Sequence, residues 1–199
     1  LFLAYDVCFS KQDYAEYKQI NKPLWVQYQD KKISAETLKI QRFEQWSKKL
    51  DVSANELNSG FLNAMAQICL PLPGAEALLA GLADKVDMAI ITNGFTELQQ
   101  ARLENTGLKK YFADVIISEQ VGLAKPDVRI FEHTLEKLNH TDKSTVLMVG
   151  DNPHSDILGG MRAGIDTCWL NHNGASVPEN IEPTYEVADL HQLKNLLLA

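Results

Sequence analysis

The stretch VLMVGDNPHSD, residues 146–156, decides the fold class of this chain. Its first four residues are apolar and predict a buried strand, and Gly150 allows the backbone to turn where that strand ends. Asp151 and Asp156 follow the turn, and the carboxyl edge of an open parallel sheet is where ligands bind. Two carboxylates held together repel each other, so they indicate a hard cation such as Mg²⁺. A turn followed by a helix cap favours the same residue types, and this stretch alone leaves both interpretations open.

Polar residues also end the strand predicted at residues 86–92, which closes with Thr92 and is followed by Asn93 and Gly94. A hydroxyl, an amide and a glycine at a helix start can donate several hydrogen bonds to a phosphate group. Thr and Asn also serve as ordinary helix N-caps, so both interpretations stay open here as well.

Lys125 follows a strand predicted at residues 115–118 and precedes Pro126, a residue that is tolerated in the first turn of a helix. A cation at a helix start opposes the helix dipole. Lys125 therefore needs an anionic partner, which is either a carboxylate or a substrate phosphate.

Strands and helices alternate after residue 74, which predicts an α/β fold with a doubly wound parallel sheet. Residues 10–70 instead carry apolar residues at helical spacing, with Ser34 and Ser53 placed to begin helices. We therefore predict a helical cap at residues 1–73 and an α/β core at residues 74–199. The predicted strands are 86–92, 115–118, 146–150 and 165–170, and the predicted core helices are 95–106, 126–139, one ending at 163, and 190–198.

The composition limits the partners. Acidic residues outnumber basic ones by 26 to 19, and the net charge of −7 argues against nucleic acid or an anionic membrane as the main partner. A small phosphorylated substrate needs only a local positive site. The three cysteines are widely spaced, and no apolar run reaches the roughly 18 residues of a membrane span, so we predict a cytoplasmic protein.

The three motifs, in this order, resemble those of the haloacid dehalogenase (HAD) superfamily. The resemblance implies that Thr92 binds the transferring phosphoryl group, with the backbone of Asn93 and Gly94 assisting. It also implies that Lys125 neutralises phosphate charge and holds the nucleophile. Thr92 and Lys125 are therefore the expected catalytic residues.

For the last motif, the resemblance implies that Asp151 is a Mg²⁺ ligand and that Asp156 supports the metal site. The dehalogenases of this superfamily need no metal and do not carry the Gly-Asp start of this motif. Gly150 and Asp151 therefore favour a Mg²⁺-dependent phosphatase.

The same resemblance implies an Asp-x-Asp-x-Thr motif before the cap, and the sequence contains none. In that motif the first Asp attacks phosphorus to form an aspartyl-phosphate, and the second serves as acid and base. The nearest match is DVCFS at residues 6–10, where Cys8 would replace the acid/base, and a thiol does not do that work as a carboxylic acid does. We expect the motif to lie upstream of Leu1, with Asp6 not the nucleophile and residues 1–199 alone inactive. A degenerate motif is the alternative.

The stretch YKQINKPLWVQY, residues 17–28, closely resembles the cap of YjjG-type pyrimidine 5′-nucleotidases. LPLPG at 70–74, ITNGF at 91–95 and TCWLN at 167–171 resemble other segments of the same family. This resemblance implies hydrolysis of pyrimidine nucleoside monophosphates, with Lys22, Trp25 and Tyr28 as candidates for contacting the base. The alternatives are a phosphatase for another small phosphate, such as a sugar phosphate or phosphoglycolate, and a non-catalytic binding protein of the same fold.

Overall fold

The structure is a computed structural model that describes Tyr5 and residues 7–199. The chain divides into two compact units. The first runs up to Cys69 and includes Phe95–Asn105, and the second consists of Leu70–Gly94 and Thr106–Ala199. The segment Phe95–Asn105 therefore packs with the first unit, although in the sequence it lies between two strands of the second.

Helices and strands are numbered in chain order. The helices are α1 (Lys11–Gln29), α2 (Ala35–Gln41), α3 (Glu44–Leu50), α4 (Ala54–Gln67), α5 (Ala75–Leu82), α6 (Thr96–Thr106), α7 (Ser118–Val121), α8 (Val128–Lys137), α9 (Leu158–Ala163) and α10 (Leu190–Leu198). The strands are β1 (Ala89–Thr92), β2 (Asp114–Ile117), β3 (Leu147–Gly150), β4 (Asp166–Leu170) and β5 (Tyr185–Val187). A π-helical turn at Pro153–Ile157 leads from the loop after β3 into α9.

The first unit is helical, as the spacing of apolar residues over 10–70 predicts. The larger of its two core clusters is built from buried side chains of α1, α2, α4 and α6 and from Phe95, which directly precedes α6. The buried residues of its two clusters are Leu24, Leu38, Leu62, Ala66, Phe95 and Leu98 in one, and Phe43, Trp46 and Leu57 in the other.

Serine side chains begin three helices of this unit. Ser34 and Ser53 each accept a hydrogen bond from the backbone N–H three residues later, which confirms the predicted starts of α2 and α4. Ser10 does the same for α1, and the carboxylate of Asp13 accepts from the Ser10 backbone N–H, which completes a capping box.

The five described strands of the second unit pair in parallel, as predicted. β1 pairs with β2, and β3, β4 and β5 form a separate three-stranded ladder. Gly150 at the end of β3 lies opposite Trp169 of β4, and Thr92 at the end of β1 lies opposite Ile117 of β2. The carboxyl ends of these strands therefore carry the polar motifs.

Some predicted boundaries are wrong. The helix predicted to open at Pro126 begins at Val128, because the side chain of Asp127 accepts from the Arg129 N–H and caps the helix there. The sequence analysis also did not predict α5, α7 or the short strand β5. Within the described part of the chain, no helix combines the length and the apolar character that crossing a membrane requires.

Candidate active site

The loop after β3 folds back on itself so that Asp156 covers Gly150. A β-carbon at position 150 would lie 2.2 Å from Oδ2 of Asp156, so only glycine fits beneath this carboxylate. The Asn152 backbone N–H donates to Asp156 Oδ2 over 3.0 Å, and the Ser155 hydroxyl donates to Oδ1 over 3.0 Å. The glycine of this motif is thus required by packing, whereas its backbone is not in the left-handed region that favours glycine.

Asn93 and Lys125 are joined through their backbone and amide groups. The Lys125 backbone N–H donates to Asn93 Oδ1 over 2.8 Å, and Asn93 Nδ2 donates to the Lys125 carbonyl over 2.8 Å. This pair of hydrogen bonds fixes the segment before α8 to the end of β1. The peptide bond between Lys125 and Pro126 is cis.

The ammonium group of Lys125 lies in a buried polar cluster. Lys125 Nζ is 2.8 Å from Asp156 Oδ1 and donates to the Ile91 carbonyl over 2.6 Å. The two charged side chains are only 9% and 6% exposed. Because removing charges from water is costly, such a pair is stable only when its remaining lone pairs and protons are hydrogen-bonded, as the Asp156 carboxylate is here.

Thr92 is the last residue of β1 and begins the turn that leads to α6. Its hydroxyl oxygen accepts from the Gly94 backbone N–H over 3.0 Å, which holds the turn closed. A hydroxyl that accepts one hydrogen bond still has its own proton to donate. Thr92 can therefore stabilise the loop and also donate to an anion.

Asp151 differs from Asp156 in that its residue is exposed. Among the residues that the structure describes, none donates to its carboxylate. Its backbone carbonyl accepts from Trp169 Nε1 over 3.1 Å, and Trp169 is buried on β4. The main chain of Asp151 is therefore held while its carboxylate is available to a ligand.

The available donors suit a hard divalent cation. Mg²⁺ is usually bound by one or two protein carboxylates together with waters and substrate phosphates. Asp151 offers one such carboxylate, whereas Asp156 already accepts from Lys125, Asn152 and Ser155. No cluster of three or more His, Cys, Asp or Glu side chains that could enclose a metal occurs in the described part of the chain.

A cysteine nucleophile has no support in the second unit. Cys168 of β4 is buried, and burial raises the pKa of its thiol to about 11. It therefore stays protonated at neutral pH. Asp6, the residue that the sequence analysis considered and set aside as a nucleophile, lies outside the described residues.

The predicted site residues thus form a connected set at the ends of β1 and β3. Asn93 bonds to Lys125, Lys125 to Asp156, and Asp156 to the peptide group that follows Asp151. Thr92 and Gly94 lie in the turn next to Asn93. This geometry places a cation, a hydroxyl and an uncommitted carboxylate on neighbouring loops.

The sequence from residue 2 to residue 164 matches the family of haloacid dehalogenase-like hydrolases. The chain belongs to that family. The match covers the first unit and most of the strands, and it confirms the family and the hydrolase class that the three motifs predict.

Two curated relatives of this hydrolase are named for the same activity. It is 51% identical to the pyrimidine 5′-nucleotidase YjjG of Escherichia coli over 197 residues, which is 99% of this chain and 88% of the relative. It is 36% identical to the pyrimidine 5′-nucleotidase PynA of Streptococcus pneumoniae over 187 residues, or 91% of this chain and 78% of that protein.

Solved structures agree on the fold. The crystal structure of the HAD-hydrolase YfnB from Bacillus subtilis, which is described as bound to magnesium, has a TM-score of 0.89 and is 29% identical. It covers 100% of this hydrolase and 87% of the YfnB chain. A dehalogenase structure with a TM-score of 0.78 and 19% identity shows the same fold, which confirms the predicted α/β class.

Sequence reasoning missed two participants in the site. Trp169 was noticed only as part of a resembling segment, because an indole on β4 gives no sign of which neighbouring loop it reaches. The Ile91 carbonyl, which accepts from Lys125, belongs to the backbone and leaves no mark in the sequence. Lys22 is exposed, Trp25 and Tyr28 are half-buried in the first unit, and their proposed contact with a base stays a prediction.

Proposed function

We propose that this hydrolase is a Mg²⁺-dependent phosphatase that removes the phosphate from pyrimidine nucleoside 5′-monophosphates. The observation that carries the proposal is the network at the ends of β1 and β3. Asp156 and the Ile91 carbonyl hold the buried Lys125 ammonium group, and Asn93, which follows Thr92, holds the Lys125 backbone. The identity to YjjG, at 51%, supports the substrate class.

Each residue of the network has a separate task in phosphoryl transfer. Thr92 donates its hydroxyl proton to a phosphoryl oxygen, and the backbone N–H of Asn93 assists in binding it. That the Gly94 N–H also assists stays a prediction, since it donates to the Thr92 hydroxyl in this structure. Lys125 neutralises the charge on the oxygens of the transferring group, which is the main requirement of this reaction. Asp156 forms an ion pair with Lys125, which fixes the position of the ammonium group and compensates its buried positive charge.

Asp151 is the residue that we assign as the Mg²⁺ ligand. Asp156 supports it by accepting a hydrogen bond from the next residue, Asn152. When bound, the ion supplies positive charge to the phosphate oxygens. That Asp156 supports the metal site stays a prediction, and both of its oxygens accept hydrogen bonds in this structure.

The residues assigned so far do not include a nucleophile. No Asp-x-Asp-x-Thr motif occurs in the sequence. An aspartyl-phosphate mechanism therefore needs an aspartate that we do not assign among residues 7–199. That this aspartate lies upstream of Leu1 stays a prediction.

A cytoplasmic location and a small-molecule partner complete the proposal. The described cysteines Cys8, Cys69 and Cys168 are free, which is typical of a reducing compartment.

Phosphate release from a panel of monophosphates tests the proposal. We expect UMP and dTMP to be hydrolysed about tenfold or more faster than AMP, GMP, glucose 6-phosphate or phosphoglycolate. We expect turnover only with Mg²⁺ present, because without the ion the Asp151 carboxylate repels the negatively charged phosphate. The assay is run on residues 1–199 and on the same chain extended by any residues that its gene encodes before Leu1.

The outcomes separate the parts of the proposal. A preference for sugar phosphate or phosphoglycolate in the extended chain would retain the phosphatase and reject the nucleotide. Turnover by residues 1–199 alone would show that the nucleophile lies within them, with Asp6 as the first candidate. Inactivity of both chains on every phosphate would reject the enzyme.

A further inference from the structure

The peptide group between Asp151 and Asn152 is held at both of its polar atoms. Its carbonyl oxygen, on Asp151, accepts from Trp169 Nε1 over 3.1 Å. Its N–H, on Asn152, donates to Asp156 Oδ2 over 3.0 Å. Both side chains that bind this peptide group are buried, Trp169 to 3% exposure and Asp156 to 4%.

The two hydrogen bonds to this peptide group restrict the backbone of Asp151. The peptide group is planar, so fixing its oxygen and its hydrogen fixes the plane and with it the ψ angle of Asp151. The opposite side of Asp151 is joined to Gly150, which the carboxylate of Asp156 covers. The backbone of Asp151 is therefore fixed on both sides, whereas its side chain is exposed.

Trp169 is placed for this contact by the sheet. Its register partner on β3 is Gly150, directly before Asp151, so the indole needs to reach only one residue further. The ring packs with Ile157 and Ile181, which hold its orientation. A buried indole N–H normally finds an acceptor, and here that acceptor is the backbone of the expected metal ligand.

We propose that Trp169 is a positioning residue that orients Asp151 for Mg²⁺ through the Asp151–Asn152 peptide group. The inference rests on the proposed function, because it takes Asp151 as the metal ligand. Partners behind a metal ligand commonly change metal affinity about 10–100-fold when they are removed. Trp169 acts on the backbone rather than on a ligand atom, so we expect about tenfold, at the low end of that range.

The substitution Trp169→Phe removes the N–H and keeps an aromatic ring in the same place. Its matched control is Trp46→Phe, since Trp46 is a buried tryptophan of the first unit and loses the same atoms. The metal alone is titrated into ¹⁵N-labelled residues 1–199 at constant ionic strength, and the Asn152 amide signal reports binding. We expect about tenfold weaker Mg²⁺ binding in Trp169→Phe and unchanged binding in Trp46→Phe.

The indole N–H signals give a second measurement that needs no change at Trp169. In the wild-type protein we expect Mg²⁺ to shift the Trp169 indole signal and to leave that of Trp46 in place. Asp151→Asn should abolish the shift. Because this measurement uses the wild-type indole, it tests the positioning role even if Trp169→Phe does not fold.

The results distinguish the two proposals. Equal Mg²⁺ affinity in Trp169→Phe and wild type, or a Trp169 signal that stays in place while the Asn152 amide moves, would reject the positioning role and leave Asp151 as a ligand. A lower thermal midpoint without a change in affinity would reduce Trp169 to a packing residue. No Mg²⁺-dependent change anywhere in the wild-type spectrum would overturn both the metal assignment and the inference.

Discussion

Among the described residues, each of the two units buries one cationic side chain, and the two are held in different ways. In the second unit, Lys125 pairs with the carboxylate of Asp156 and donates to a backbone carbonyl. In the first unit, Arg42 is 3% exposed and donates from Nε to Asn58 Oδ1 over 3.0 Å, and Nη2 bonds to the same oxygen. Among the described residues, no carboxylate pairs with Arg42.

Aromatic rings take the place of a carboxylate around Arg42. Its guanidinium carbon lies 5.1 Å from the ring centre of Phe43, 5.2 Å from that of Phe61 and 4.9 Å from that of Phe95. Burial lowers the pKa of Arg42, and the neighbouring Tyr17 raises it in part. The faces of aromatic rings carry partial negative charge and attract a desolvated cation without neutralising it.

The partners of the two cations differ in what they allow: those of Lys125 leave its charge able to act on a phosphate, whereas those of Arg42 use its charge for packing. Lys125 is a compact charge with three donors, and it lies beside loops that can also donate to a phosphate. Arg42 presents flat faces to rings and its edge to a neutral amide. Charge and burial alone therefore do not identify a catalytic residue, because the partners decide what the charge can do.

The largest expected effect comes from Lys125→Met. It leaves the buried Asp156 carboxylate without its cation, which should lower the free energy of unfolding by about 3–5 kcal/mol. Chemical denaturation measures this loss. The double variant Lys125→Met with Asp156→Asn should recover a large part of it, because no uncompensated charge remains. A double variant that is as unstable as the sum of both single changes would show that the pair is not coupled.

A smaller loss in the free energy of unfolding is expected for Arg42→Leu in the first unit. This change leaves the buried Asn58 amide without its donor and should cost about 1–3 kcal/mol. Adding Asn58→Leu should restore part of that loss in the same denaturation experiment. Metal binding by the second unit should be the same in Arg42→Leu and wild type. A large loss of Mg²⁺ affinity in this variant would remove the distinction between the two cations.

The smallest effect on stability is expected for an ion pair that is exposed to solvent. Lys48 Nζ lies 2.9 Å from Glu44 Oε1 one turn apart on α3, and both side chains are exposed. Solvent screens such pairs, so Glu44→Gln should leave the thermal midpoint within error of the wild type. A loss as large as that of Lys125→Met would mean that burial is not what makes the Lys125 pair important.

Sequence patterns predicted the parts of this molecule that depend on local order. The apolar runs before Thr92 and Gly150 predicted β1 and β3, and serine spacing predicted the starts of two helices. The start of α8 was placed two residues early, since the side-chain cap by Asp127 outweighed the proline preference. The local pattern thus identified most elements, and side-chain capping decided their ends.

Contacts between elements could not be predicted in the same way. The indole of Trp169 reaches the loop after β3 only because β4 pairs with β3 in this register. The ring cage of Arg42 needs Phe95, which is far from it in sequence. Such contacts depend on which elements become neighbours, and no periodicity within one element contains that information.

The π-helical turn Pro153–Ile157 makes the loop after β3 sensitive to its length. Its last hydrogen bond runs from the Leu158 N–H to the Pro153 carbonyl, a spacing of five residues instead of the four of an α-helix. Deleting one residue from the turn would restore α-helical spacing and rotate Asp156 by about 100° around the axis, away from Lys125. Loop exchange between relatives must therefore keep four residues between Asp151 and Asp156.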